Sequence, residues 1–508
     1  MKKLFAMMLA LVMVLAAVPV LAEGEETYVA KIGEQEYTTL DEAIEAANDG
    51  NTIVLLADCE TKGMNLNKDL SIDGGTDKHT VRFTQYGIAL WEKSLMFKNC
   101  KVVMNGIGST PYAEWSWMAI CASKDASLLL ENTEMTMNGA EGNTAHAIYF
   151  CSNNKLNLTD SKLEIKNYQQ DALEWDGGDG GYNVNITKST FISDHNRSGF
   201  TGTFTAKIDN SKVDVINSTG NGSNGSHFEI VNGSAVNFSD NNAHGLSTGR
   251  LTIDNSTVTA NGNGANGVHA GNTLIIKNNA VVEIKKNGCR IISKYTIPGA
   301  LYVYGAEGSN IDKTSAVTIT ENKGSGILLK GGSLNIEEGA KLTVMNNTAE
   351  LLEYGGGVNV RGNLTLPQNA KIYNNHAAKA GDDIYNAEDA SITFGNVGSA
   401  WILDDCNHMI NGWYDDAENS RWNSTCDGKP CIAERPDHAS KVVAGTIRGP
   451  KALKAAHDAQ ITTEEPWYPP YNPTPVQPVQ PVQPAPLPPQ TGDMPLWYAV
   501  AQFLGLVK

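Results

Sequence analysis

A four-residue phrase recurs along the middle of this chain at almost constant spacing. An Asn, Asp or Gly is followed by a small residue, then any residue, then an aliphatic. It occurs as Asn210-Ser211-Lys212-Val213, Gly233-Ser234-Ala235-Val236, Asn255-Ser256-Thr257-Val258 and Asn279-Ala280-Val281-Val282. From position 210 to 233, 255 and 279 the steps are 23, 22 and 24 residues. A fixed period of this size means a solenoid. Short β-branched runs and Asn/Gly turns fill each repeat, without a helical period. Each repeat therefore reads as one coil of a parallel β-helix.

Aliphatic strands extend the pattern in both directions. Examples are Leu70-Ser71-Ile72, Leu128-Leu129-Leu130, Leu156-Asn157-Leu158, Leu251-Thr252-Ile253 and Leu364-Thr365-Leu366. Apolar side chains alternate with polar ones, so one set points inward and the other outward. A second column places Gly or Ala before an aliphatic, as in Ala147-Ile148, Ala172-Leu173, Gly199-Phe200, Gly245-Leu246, Gly267-Val268, Gly326-Ile327 and Gly357-Val358. Small residues there are expected to allow tight turns into a strand. At roughly 25 residues per turn the coils number on the order of 13.

The flanks break the repeat. Thr39 and Glu42 have the spacing of a helix capping box. Leu40, Ala43, Ile44 and Ala47 share a helical face, and Gly50 suits its end. Such a helix would cover the open apolar end of a coil stack. Residues 401–422 are aromatic and acidic, and 451–460 read as a last helix. The expected organisation is a leader over 1–22, an N-terminal cap over 23–60, the parallel β-helix over 61–395, a cap or small module over 396–460, a Pro-rich spacer over 461–489 and an apolar tail over 490–508. The fold class is all-β.

Both ends speak to location. Lys2 and Lys3 precede an apolar run from Leu4 to Val20, and Val20-Leu21-Ala22 offers small residues for cleavage. That is the layout of an export signal. Near the other end Val-Gln-Pro repeats at 476–484, a composition that forms an extended spacer. Pro488-Pro489-Gln490-Thr491-Gly492-Asp493 and an apolar tail ending in Lys508 follow. This arrangement resembles the sorting signal of Gram-positive sortase substrates. By that resemblance the Thr491–Gly492 bond would be cut and Thr491 joined to peptidoglycan, making sortase and peptidoglycan partners. Two features depart from the pattern: Pro488 stands where a Leu is usual, and the tail is short.

The net charge of −17 argues against a nucleic-acid partner, whose phosphates demand a basic face. Eight cysteines are too few for a disulfide scaffold in a chain of 508 residues. Cys406, Cys426 and Cys431 lie close enough in sequence for one pair. Adding His408 gives a four-ligand zinc set whose spacing matches no familiar finger, so a disulfide explains them better. Cys59, Cys100, Cys121, Cys151 and Cys289 are expected inside the coils.

Four segments carry a wider likeness: Tyr37-Thr38-Thr39-Leu40-Asp41-Glu42-Ala43-Ile44, Tyr354-Gly355-Gly356-Gly357-Val358, Asn374-Asn375-His376-Ala377 and Gly381-Asp382-Asp383-Ile384-Tyr385-Asn386. With them the chain resembles the pectate-lyase-like right-handed β-helix surface proteins of gut Firmicutes. The resemblance implies the architecture. It leaves activity open, because the fold hosts lyases, hydrolases, esterases and adhesins.

Stacked coils align side chains into ladders. On the outward position after each Gly-aliphatic pair stand Tyr149, Glu174, Thr201, Ser247, His269 and Arg290, with His227 or Glu229 filling one coil. An acid, imidazoles and a guanidinium on one groove can abstract protons or bind an acidic sugar. Glu174, His227, His269 and Arg290 are therefore the catalytic candidates, against the plainer reading of a solvated face. Asp171, Asp176 and Asp179 lie in and beside a Gly-rich loop and are candidates for Ca²⁺, the one cofactor considered, with ordinary turn chemistry as the alternative. Trp413, Tyr414 and Trp422 are candidates for a glycan-binding platform, or for a buried cap.

The reading favoured from sequence is a surface-displayed, adhesin-like β-helix that binds a host or environmental glycan, mucin or protein. A secreted lyase or glycoside hydrolase acting on an acidic polysaccharide is the alternative, and a structural wall spacer a second one.

Overall fold

The computed structural model describes residues 27–457, apart from 113, 115, 124, 141, 143, 152, 178–181, 289–298, 305–307, 350–353, 369, 396–400, 403–408 and 420–443. The chain winds into a right-handed parallel β-solenoid of about 12 turns, as the period requires. Each coil lays down three strands. The coil over residues 146–166, for example, consists of His146–Cys151, Lys155–Thr159 and Lys162–Lys166. The first two kinds of strand stack into one 30-stranded sheet and the third into a 13-stranded sheet. In three successive coils the first two strands merge, as Ser223–Val231, Leu246–Asp254 and Val268–Lys277.

In-register stacking makes the core a set of columns. Leu130, Leu158, Ile186, Ile208, Ile230, Ile253, Ile276, Ile311 and Ile336 each face the next across a parallel pair. All are buried. Inside the middle coils Phe191, Phe200, Phe204, Phe228 and Phe238 form a chain of tilted and edge-on rings.

The repeat phrase owes its form to one corner of the coil. Asp160, Lys188, Asn210, Asn232 and Asn255 all take a positive φ, between 47° and 57°, the left-handed conformation that Asn and Asp tolerate better than most residues. A buried hydroxyl follows in the sequence. The N–H of Ser161 donates to Ser189 Oγ, Ser189 to Ser211, Ser211 to Ser234 and Ser234 to Ser256, at 3.0–3.2 Å. Each of these hydroxyls in turn donates to a carbonyl just before it in its own coil, at 2.7–2.8 Å. Ala280 ends the run.

The opposite corner repeats the solution with asparagine. His195, Asn217, Asp240, Gly262, Lys286, Glu321, Asn346 and Asn374 have positive φ. After them come Asn196, Ser218, Asn241, Asn263, Asn287, Asn322, Asn347 and Asn375, all buried. From Asn263 onward each Asn side-chain oxygen accepts both the backbone N–H and the side-chain amide of the Asn one coil earlier. The glycines of the second column serve this ladder. A Cβ on Gly245 would lie 2.6 Å from both Asn263 Nδ2 and the Gly267 carbonyl, and one on Gly326 would lie 2.9 Å from Asn347 Nδ2. Neither glycine has a positive φ, so clearance rather than the expected tight turn explains them.

At the start, the helix Leu40–Ala46 buries Leu40 and Ala43, and Thr39 Oγ1 accepts from the Glu42 N–H at 3.2 Å. The expected reciprocal bond is replaced: the Glu42 carboxylate accepts from Thr38 Oγ1 at 2.9 Å. At the far end, the segment expected to be helical is a strand, Lys451–His457, preceded by Gly445–Arg448. These strands pair antiparallel with Ile384–Asn386 and Ser391–Phe394 of the last coil. Alternation explains the difference, because Leu453 and Ala455 enter the core while an unpaired sheet edge needed a partner.

Asp383 joins the Asn ladder to this edge. Its Oδ1 accepts the N–H and side-chain amide of Asn375, and its Oδ2 accepts the Ala455 N–H at 2.7 Å. Beside it Lys454 Nζ reaches Asp382 Oδ2 at 2.6 Å.

Two outcomes test this account. Asn263→Ala leaves the Asn241 N–H without its acceptor, at about 1–3 kcal/mol, and its side-chain amide with the Val215 carbonyl alone. Its urea midpoint should fall well below that of the exposed control Thr257→Ala, and equal midpoints would remove the ladder from the stability argument. Burial pushes the Asp383 carboxyl up to about 7, against the pull of its N–H donors. The folded state then holds a proton that the unfolded state releases near pH 4, so this contribution to stability falls as pH rises from about 4 to about 7. The stability advantage of wild type over Asp383→Asn should shrink across that window in parallel denaturation curves.

Candidate functional site

The outward column begins as expected and then departs. Register places Cys121, Tyr149, Glu174, Thr201, Asn224, Ser247, His269 and Tyr302 in one line. His227 is not among them. It lies on the second strand column opposite Thr205 and Arg250, because the merged strand carries the chain past the first column before residue 227. Asn224 takes the position instead. Arg290 lies outside the described residues, and Tyr302 is the next rung after His269. Glu174 and His269 are four rungs apart, roughly 19 Å at 4.8 Å per strand. The expected catalytic group is therefore divided between two places.

The first is a cluster on three adjacent coils. His146 opens the strand His146–Cys151, Asp171 ends the turn before Leu173–Asp176, and Arg197 lies in the turn before Phe200–Gly202. Asp171 is fully buried. Arg197 Nε donates to its Oδ1 at 2.9 Å and Nη2 to its Oδ2, a bidentate pair. The carboxylate raises the guanidinium pKa further. His146 Nδ1 lies 2.7 Å from Glu174 Oε2 and 4.0 Å from Asp171 Oδ2. The close approach is not a hydrogen bond: both His146 Nδ1 and Glu174 Oε2 are buried without a hydrogen-bond partner.

Aromatic rings wall the cluster. Trp117, 43% exposed, sets its ring edge-on to His146 at 5.3 Å and to Tyr149 at 5.2 Å. The Tyr149 hydroxyl donates to Asp176 Oδ2 at 3.1 Å. Burial first, and then that carboxylate, push the phenol well above its ordinary pKa. Of the residues expected to hold Ca²⁺, Asp171 is engaged by Arg197 and Asp176 by Tyr149, and Asp179 lies outside the described residues. Among the described residues, the acids that gather with an imidazole are Asp171 and Glu174 around His146.

The second place surrounds His269. Its Nδ1 lies 3.1 Å from Ser247 Oγ, and its ring meets Tyr302 edge-on at 4.6 Å and His244 at 6.0 Å. Burial lowers the His269 pKa. His244 is pushed down to about 4 by burial and by His269, and its Nδ1 accepts the Asn266 N–H. His227 is also lowered by burial, with Glu229 opposing.

Trp413 and Tyr414 offer no platform. They are 1% and 3% exposed, and Trp413 donates from Nε1 to the Ile372 carbonyl while its ring rests against Phe394. Their strand closes the end of the core, and the Trp413 ring points into it. Trp422 lies outside the described residues, as do Thr491, Gly492, Cys289, Cys406, His408, Cys426 and Cys431. Cys59 and Cys100 are interior thiols that burial pushes up to about 12. Cys121 is fully buried although it stands on the outward column.

Trp117 and His146 are the residues that sequence reasoning missed. The signal for His146 was available, since it precedes Ala147-Ile148 as Asp171 precedes Ala172-Leu173. Trp117 stands outside the repeat and gave none.

The His244 environment sets a pH dependence. A histidine held neutral in the fold resists the proton that the unfolded chain accepts near pH 6.5, so its share of stability is present above that value and fades as pH falls toward about 4. In an NMR titration His244 should remain neutral at pH 5, and His244→Gln should lose less stability than wild type between pH 6.5 and 4. A scan against protein-family models and a search of curated proteins found no match to the chain.

Proposed function

We propose that the protein is a cell-surface, adhesin-like β-helix that binds a host or environmental glycan, and that the glycan lies across the outward column at Tyr149, with Trp117 and Arg197 beside it. The observation that carries the reading is the exposed Trp117 ring, set beside a phenol and three coils, roughly 14 Å at 4.8 Å per strand, from a guanidinium whose side chain is 46% exposed. An aromatic face suits the apolar side of a sugar ring. An arginine fork suits a carboxylate or sulfate on the same polymer. A long parallel stack offers successive rungs to successive sugars. The export-like N-terminus and the sorting-like Thr491–Gly492 motif support display outside the cell, with sortase and peptidoglycan as the attachment partners.

A second reading has one observation of its own. The close His146–Glu174 pair, whose facing atoms are buried, is the kind of acid–base grouping that a polysaccharide lyase or hydrolase needs. Hydrolysis also calls for a second carboxylate free to act, and Arg197 occupies the nearest one, Asp171. Binding without turnover is therefore favoured.

The test is a glycan and mucin array on residues 23–465, with and without Ca²⁺, with product analysis of every retained spot. Retention of acidic glycans without cleavage is expected, and Trp117→Ala should weaken it about tenfold or more while leaving the unfolding curve unchanged. Consumption of a bound polysaccharide would establish the enzyme reading. Undiminished binding by Trp117→Ala would move the site elsewhere on the solenoid.

A further inference from the structure

We infer that His146, Asp171 and Glu174 form a site for a divalent transition-metal ion of the Zn²⁺ or Mn²⁺ class. A ring nitrogen of His146, an Asp171 oxygen and a Glu174 oxygen all lie within 4.8 Å of one another, so that a small closing shift of the side chains would bring all three within bonding distance of one ion. Clustered acids are ordinary on a solenoid face, and two further observations distinguish this group.

The first is the pair of unmet atoms. His146 is 8% exposed, and its Nδ1 faces Glu174 Oε2 across 2.7 Å. Neither atom has a hydrogen-bond partner, although buried polar atoms in folded proteins nearly always find one. An imidazole nitrogen and a carboxylate oxygen held at ion-pair distance but outside hydrogen-bond geometry leave lone pairs that a shared ion could take up. With metal bonds of about 2.0–2.2 Å that separation subtends roughly 80°, close to the right angle between neighbouring octahedral positions.

The second is the fixation of Asp171. Its oxygens accept Arg197 Nε and Nη2, which uses one lone pair on each and leaves others for a metal. A charged partner that orients a ligating carboxylate is a regular feature of metal sites. Arg197 also cancels one of the two carboxylate charges. With a neutral imidazole, the three ligands and Arg197 then carry a net charge of about −1, and a divalent ion would leave the pocket positive toward an acidic sugar.

The donor set defines the ion. One imidazole and two carboxylates suit Zn²⁺ or Mn²⁺, whereas Ca²⁺ prefers an all-oxygen shell of six to eight ligands. Three protein ligands also leave a coordination position open to water or to a ligand oxygen. The site adjoins the proposed glycan face but does not depend on it, because the ion would bind with no sugar present.

The experiment uses the full chain stripped with chelator and titrated with Zn²⁺ by calorimetry and with Co²⁺ by visible absorption. The expected result is uptake of one ion per chain, a Co²⁺ d–d band, and a raised melting temperature. His146→Gln and Glu174→Gln should each weaken uptake by more than about 10–100-fold, with an unchanged far-UV spectrum showing that they fold. Arg197→Lys keeps the charge and loses the fork, so it should weaken uptake less. Absence of uptake by wild type, or uptake that both Gln variants retain, overturns the inference. Either result leaves the array measurement with Trp117→Ala free to support or refute glycan binding.

Discussion

Every coil of this protein must turn its backbone around a dry interior, and the peptide groups at those corners have no water to satisfy them. The structure answers with two ladders of buried polar side chains that run along the solenoid axis. Ser161 to Ser256 serve one corner, and Asn241 to Asn375 serve the other, each side chain accepting the N–H of the coil before it. A buried amide left unpaired costs about as much as several hydrogen bonds contribute. The ladders therefore fix the register of the whole stack, and the aliphatic columns follow from that register.

The same constraint explains features that look unrelated in one dimension. Left-handed residues precede each ladder rung because the chain reverses there. Glycines such as Gly245 and Gly326 recur because a ladder amide and a neighbouring carbonyl occupy the space of a Cβ. The ladder cannot simply stop, since its last amide would be orphaned. Asp383 ends it with an acceptor at both oxygens, one for Asn375 and one for the returning strand at Ala455. Asp382 and Asp383 are thus structural carboxylates that tie the last coil to its closing strands.

Once corners and core are occupied in this way, chemistry is left to the outward face. There the regular ladder of single rungs matters less than the places where a turn brings extra residues to it. His146, Asp171 and Arg197 come from turns and strand starts, one position or more before the rung, and meet Glu174 on the rung itself. Trp117 arrives from a loop. The resulting cluster combines an aromatic rim, a bidentate ion pair and two buried polar atoms facing one another, a combination found nowhere else among the described residues.

The sequence by itself determined the solenoid, its period, the strand columns and the N-terminal helix. These rest on local periodicity, which repeats in one dimension as it does in three. It also placed Tyr149, Glu174, Ser247 and His269 on one column, because spacing from a repeated Gly-aliphatic pair is a direct measure of register. Only the tertiary structure decided the rest. Merged strands shifted His227 to another column, and the coil rise put Glu174 and His269 roughly 19 Å apart. Trp413 and Tyr414 proved to be core because an open sheet edge had to be closed. Which side chains meet depends on how far each turn carries the chain around the coil, and turn length is where this repeat is least regular, with successive asparagine rungs 22 to 35 residues apart.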